Sequence, residues 1–496
     1  MKTQCKSDDL LFQTQTKRDL VAHFYGGNIC SDGGGLPLQQ TERITGIIRK
    51  CAACFTDHRD ADLIDHTVED LVAQRIYGLA LGYEDLNDHD ELRHDPLLAV
   101  MVGKDDPTGK DRLRDRDQGK ALAGKSTLNR LALTPVRAHK NSRYKKITVD
   151  RHAVDEFFMT VFLDAYSQAP SEIMLDLDAT DAPLHGHQAG RFFHGYYKHY
   201  CYLPLYIFGG EPLLCARLRP SDIDACVGSV KEVDRIVSSL RIRWPNTRIL
   251  LRGDSGFCRE HLRLWCELNH VDYVLGLAKN ERLKREISAE LEQAKNLFGQ
   301  TNQAAGVFKD FPYQTLKSWS RSRRVIGKAA YLDKGENPRV VVPSLSCDEG
   351  DARRLYEQRY GARGDMENRI KEQQRWLLAD RPSWATMRAN QLRLWFSSVA
   401  YTLMEALRRL GLKGTKLAKA QCGTIRLKLL KIGAQVRVTV RKVWVSFSES
   451  SPYQPLFRQV YDNLAGLSPV RLRYGRLSKA CQAIVATIAA TLVRSC

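Results

Sequence analysis

Residues 173–178 read Ile-Met-Leu-Asp-Leu-Asp, an alternation that puts Ile173, Leu175 and Leu177 on one side of an extended chain and Met174, Asp176 and Asp178 on the other. Carboxylates on a strand that is at least half buried cost free energy unless something positive meets them, so this strand constrains whatever packs over its acidic side. A second, apolar strand at 249–251 runs into Gly253-Asp254-Ser255-Gly256 and then into a helical pattern. Asp254 thus falls at the carboxyl end of a strand, where open α/β sheets bind their ligands. A third acid, Glu367, lies in the helical stretch 353–376, where Tyr360, Arg363, Glu367 and Lys371 step by three, four and four along one face. Gly361 and Gly364 each disfavour a helix interior by about 1 kcal/mol, which sets the expected start of regular helix near Asp365. Taken singly, an Asp at a strand end is most often a solvated or ion-paired structural residue, and a basic-aromatic-acidic helix face is most often a wet surface.

With 496 residues the chain is long enough for about three domains and a well-buried core. Its 76 Lys plus Arg against 57 Asp plus Glu leave a formal charge of +19, an excess that favours a polyanionic partner through phosphate neutralisation and counterion release. A membrane surface is the rival anion. The longest apolar run, 480–493, is shorter than the roughly 20 residues needed to cross a bilayer, and the N-terminus lacks a signal-peptide apolar region. The expectation is a cytoplasmic protein with no membrane partner. Its 13 cysteines, scattered without a framework, fit reduced thiols. Cys51 and Cys54 with His58 and His66 downstream suggest zinc only weakly, because no second cysteine pair follows at a zinc-like spacing.

Along the chain, residues 1–130 carry helical patterns at 40–55, 67–81 and 91–102 with interspersed basic residues, which suits a helical DNA-binding region or, equally simply, a helical packing or dimerisation domain. The Gly run at 33–35 is a turn. Residues 119–126 match the phosphate-binding pattern G-x4-G-K-S, yet the charged stretch 111–118 is no buried strand to feed such a loop. Segment 131–170 begins with a dense basic patch containing Arg143, Lys145 and Lys146 around Tyr144, and continues into a helix at 150–166. A strand, a hairpin broken at Gly209-Gly210, a helix starting at a capping-box-like Ser221-x-x-Asp224, and two further strands with a helix between them fill 171–280. That order is expected of an α/β, RNase H-like mixed sheet flanked by helices. Alternation at 309–345 predicts a β-rich insertion over 281–346, with Trp319, Arg321, Arg323 and Arg324 as candidate DNA contacts, although Trp319 fits an ordinary core equally well. Segment 347–412 would return to the core through a largely apolar helix at 385–410. The region 413–496 is expected to bind DNA or dimerise, with Val436, Val438 and Val440 alternating against basic residues and a closing helix at 478–494.

Asp178-Ala179-Thr180, the turn around Asp254, and Tyr360-x2-Arg363-x3-Glu367 resemble the three signatures of DDE insertion-sequence transposases with a Tyr-Arg-Glu motif. Residues 82–96 and 385–396 are similar to members of the group called insertion sequence thirteen-eighty, so the resemblance runs through most of the chain. It implies a helical N-terminal DNA-binding region and an enzyme that cuts transposon ends and joins the freed 3′-hydroxyl to target DNA. The implied catalytic and metal-holding residues are Asp178, Asp254 and Glu367, with Asp176 or Asp181 as substitutes for the first. Two Mg²⁺ ions, or Mn²⁺, are the implied cofactors, and Tyr360, Arg363 and Lys371 the implied phosphate contacts. Double-stranded DNA, as terminal inverted repeats and target, is the implied partner of a homodimer in the bacterial nucleoid. Where the family carries a Lys seven residues after the Glu, this chain has Gln374, and Lys371 is the candidate replacement. An endonuclease without strand transfer and a non-catalytic DNA-binding regulator are the alternatives.

Overall fold

The computed structural model describes residues 9–13, 18 and 20–468. The expected helix at 478–494 lies outside the described residues. At the centre is a mixed sheet whose strands, in chain order, are β1 (Glu172–Ala179), β2 (Leu205–Gly209), β3 (Leu213–Arg217), β4 (Arg248–Gly253), β5 (Asp272–Leu277), β6 (Ala305–Tyr313), β7 (Arg323–Leu332), β8 (Gly335–Glu336) and β9 (Arg339–Pro343). Their order across the sheet is β3-β2-β1-β4-β5-β9-β7-β6, with β8 paired to β7. The first three are mutually antiparallel, β4 runs parallel to both β1 and β5, and β9 returns antiparallel to β5. The β-rich stretch after residue 281 therefore extends the central sheet and does not form a sheet of its own.

The alternation in β1 does what it predicted. Ile173, Leu175 and Leu177 pack with Val233, Ile236 and Leu240 of α4 (Ser229–Arg243) and with Leu262 and Cys266 of α5 (Glu260–Leu268) on one face of the sheet. On the other face Met174 joins Leu250, Val274, Leu355, Tyr356 and Tyr360. α4 starts eight residues later than the capping pattern predicts. Ser221 instead donates its hydroxyl to the Phe192 carbonyl, and Asp224 accepts from the Cys226 amide and pairs with Arg259, so 221–227 is a tether between the hairpin and the next helix.

Asp176 also faces the second side, and there it meets Arg252 of β4 in a two-pronged ion pair, 2.6 and 2.7 Å, with both side chains 4% exposed. A second nitrogen of Arg252 donates to the Arg359 carbonyl, and Arg359 in turn pairs with Glu172. These bonds hold the wide turn Leu355–Tyr360 against the sheet, and after a short 3-10 turn α7 (Gly364–Leu377) begins one residue before the expected Asp365.

The N-terminal helices Leu36–Thr45 and Val68–Leu81, the latter opened by a Thr67–Asp70 capping box, pack around α8 (Met387–Leu410). The predicted helix at 91–102 is cut to Pro96–Val102, because Pro96 has no amide to continue a preceding turn and Asp95 caps the new start. C-terminal residues complete the same cluster: Ala434–Val438 pairs with Asn28–Cys30, and Leu456, Val460 and Leu464 are buried in it. Segments 20–130 and 413–468 thus share one apolar core with α8. Val440 departs from the alternation predicted for it, since it sits fully exposed in the turn between Ala434–Val438 and Val443–Phe447.

Removing Asp176 leaves Arg252 charged and buried without its partner. Asp176→Ala is expected to cost about 3–5 kcal/mol of stability, read as a shift in the denaturant midpoint; a loss below about 1 kcal/mol would show that the pair does not hold this face together.

Candidate active site

Two parallel neighbouring strands end together. Gly253 of β4 lies opposite Leu177 of β1, so Asp178 and Asp254 emerge at the same edge of the sheet. Asp178 accepts from the Ala179 amide at 2.9 Å, and Asp254 accepts from the Gly256 amide at 2.8 Å, closing the turn that the Gly-Asp-Ser-Gly sequence requires. Glu367 stands in the first turn of α7, where the helix dipole favours a negative charge. All three acids line one cavity of about 640 Å³, together with Arg363, Lys371 and Gln374.

Arg363 lies between two of the acids. One of its nitrogens donates to Glu367 at 3.0 Å; the other is buried 3.8 Å from Asp178 and has no hydrogen-bond partner. Burial pushes the Asp178 carboxyl up to about 7; Arg363 and the Ala179 amide pull it down, and Asp254 and Glu367 push it further up. Arg363 stays firmly charged, since Asp178 and its other neighbours more than offset its burial. Tyr360 reaches the Asp254 turn because the facing residue is Gly276: a Cβ there would stand 2.5 Å from the Tyr360 hydroxyl oxygen and 3.0 Å from the Ser255 nitrogen. Gly276 was not singled out from the sequence; a Gly flanked by Leu275 and Leu277 inside a strand was the available signal of close backbone approach.

The substitute acids are engaged elsewhere, Asp176 with Arg252 and Asp181 with His199 at 2.8 Å. Gln374 donates to the Asp181 carbonyl at 3.1 Å, a neutral tie at the position where the family pattern has a cation, while Lys371 lines the cavity one helical turn earlier. Three expected DNA contacts are corrected. Trp319 is 6% exposed beneath the Arg263 guanidinium, and Arg323 is locked by Glu260 and Glu267. Arg324 is held by Asp310 and the carbonyls of Leu345 and Ser346. Each Arg in this stretch neutralises an acid of its own fold, which residue type alone does not reveal. Arg143 and Lys146 instead line a separate cavity with Arg114, Arg116 and Arg130, and Lys145 is exposed beside them.

No strand leads into the G-x4-G-K-S segment, and Lys125 is tied to Asp90 and Asn87. Every described cysteine is free, and Cys51 and Cys54 are buried. Among the described residues no three Asp, Glu, His or Cys side chains are gathered tightly enough to chelate one ion, and no helix is long and apolar enough to cross a membrane.

Fold and site define an α/β protein with an acidic cleft at one end of a mixed sheet, overlaid by a helix that brings both a carboxylate and a guanidinium. The family described as Transposase DDE domain group 1 matches residues 12–469, and the chain belongs to that family. The resemblance of the three motifs to DDE transposases is thereby borne out. Among solved structures, the cryo-EM structure of a piggyBac transposase synaptic complex with hairpin DNA aligns with 12% identity and a TM-score of 0.38, covering 88% of this chain and 86% of that one, a likeness too loose to fix the fold. No curated protein matches the chain.

The Asp178 carboxyl sits well above its ordinary value, so the folded protein holds that proton more tightly than the unfolded chain does. The associated stability is full below about pH 4 and is lost as pH rises through about 7. Asp178→Asn, which mimics the protonated acid, is expected to raise the thermal midpoint by several degrees at pH 8 and hardly at pH 5. Equal shifts at both would contradict the charge crowding.

Proposed function

We propose that the protein is a DNA transposase that binds the terminal inverted repeats of its element, cleaves at the ends and joins the freed 3′-hydroxyl to target DNA. The observation that carries this reading is the lining of one cavity by Asp178, Asp254 and Glu367, acids from three distant parts of the chain. Family membership supports transposition, and the strand order β3-β2-β1-β4-β5 supports an RNase H-like core.

The donor chemistry fits hard divalent cations: carboxylate oxygens only, around a buried acid whose charged form is crowded by its neighbours. Asp178 would serve two Mg²⁺ or Mn²⁺ ions, with Asp254 and Glu367 serving one each. When bound, the metals supply Lewis-acid polarisation of the phosphoryl group and a more acidic attacking water or hydroxyl. The chain's own residues do the positioning. Arg363 has a rigid fork of donors and one nitrogen without a partner, suited to the non-bridging oxygens of a phosphate. Tyr360 is fixed against the Asp254 turn beside it, and Lys371 adds a mobile positive charge at the cavity wall. Arg143, Lys145 and Lys146, with Arg114, Arg116 and Arg130 around the second cavity, suit the phosphate backbone of a duplex. Two ends must be processed together, which favours a homodimer.

Asp254→Ala, Asp178→Ala and Glu367→Ala are each expected to abolish Mg²⁺-dependent cleavage of the element's ends while DNA affinity changes less than about threefold; full cleavage by the Asp254→Ala protein would reject the reading. Products joined to target DNA distinguish a transposase from a simple nuclease. Mg²⁺ should also raise the thermal midpoint more at pH 8 than at pH 6, because the ion and the Asp178 proton compete, and a pH-independent shift would place the ion elsewhere.

A further inference from the structure

Between β1 and β2 the chain makes a small hairpin, Phe192–His194 paired with His199–Tyr202, that the mechanism above does not use. It is dense in rings, and its turn reaches the acidic cavity: His194, Tyr196 and Tyr197 line it with the three carboxylates. The turn is closed by the Lys198 amide donating to the His194 carbonyl at 2.8 Å, with Lys198 in the left-handed region at φ 59°. Tyr197 is held in place between imidazoles, 4.9 Å from His194 and 6.1 Å from His199, and His199 is anchored to Asp181. On the opposite face Phe193 and Tyr200 cover each other edge to face, and Arg191 lies over Tyr200. Tyr196 is different. It is 83% exposed, and its one aromatic neighbour among the described residues is Tyr197, edge-on at 5.1 Å.

A rigid turn that holds an open aromatic face at the lip of a phosphodiester-cutting cavity has one matching chemistry. Inside a duplex both faces of each base are covered by its neighbours, whereas a base that has left the stack offers a face on which a tyrosine can stack. Resting on the transposase reading of the acidic cavity, we propose that Tyr196 is a stacking platform for an unpaired nucleobase beside the phosphate to be cut.

The test titrates the full chain into a single strand of about 12 nucleotides carrying 2-aminopurine, and into the same sequence as a duplex. The wild-type protein should quench the probe in the single strand. Tyr196→Ala should lose the quench and bind the single strand about tenfold more weakly, with duplex affinity changed less than about twofold. Tyr196→Phe should keep both the quench and the affinity, since stacking needs the ring and not the hydroxyl. Asp254→Ala should behave as wild type here whatever it does to cleavage, which separates this inference from the catalytic assignment. Absence of quenching by the wild-type protein, unchanged binding by Tyr196→Ala, equal losses for single strand and duplex, or a Tyr196→Phe defect as large as that of Tyr196→Ala would each overturn the proposal.

Discussion

The ion pair between Asp176 and Arg252 is the interaction from which the geometry of the cleft follows. A buried carboxylate two residues before Asp178 is tolerable only because a guanidinium on the adjacent parallel strand meets it with two bonds. That guanidinium has donors left over, and one of them takes the carbonyl of Arg359. A single neutralised charge therefore fixes the register of β1 against β4 and seats the turn that leads into α7. Arg363 and Glu367 follow within eight residues of that anchor, so the third acid of the cleft is placed by a bond made beneath it.

The electrostatics of the cleft run the other way. Where Asp176 is matched by one full positive charge, Asp178, Asp254 and Glu367 face Arg363, which bonds only to Glu367 at full strength. The set is left under-neutralised, and the raised Asp178 carboxyl is the local sign of it. An acidic cluster that is stabilised by protonation is one that also gains from a multiply charged cation, and the same imbalance that costs stability prepares the site for metal and phosphate.

Much of this was legible in the sequence because it depends on short periodicities. Period-two alternation placed Asp178 on the right side of β1, the Gly-Asp-Ser-Gly turn placed Asp254 at a strand end, and steps of three and four put Tyr360, Arg363 and Glu367 on one face. What failed depended on partners remote in sequence. Nothing near Arg323 or Arg324 announces that Glu260, Glu267 and Asp310 will claim them, and nothing near Ser221 announces the Phe192 carbonyl. Basic composition alone made those arginines look free for DNA. The joining of the segment after 281 to the main sheet, as β6 to β9, was equally hidden, because strand pairing is decided by which edge is open.

The burial of amino-side and carboxyl-side segments in one cluster around α8 bears on how the molecule yields under stress. Such a protein has no peripheral lobe to shed: loosening the strand at Asn28–Cys30 strips cover from Ala434–Val438, and disturbance there is felt along the long helix that also supports α7. Damage to either flank reaches the cutting centre without touching a carboxylate, and truncation of this chain is a change to its catalytic alignment as much as to its length.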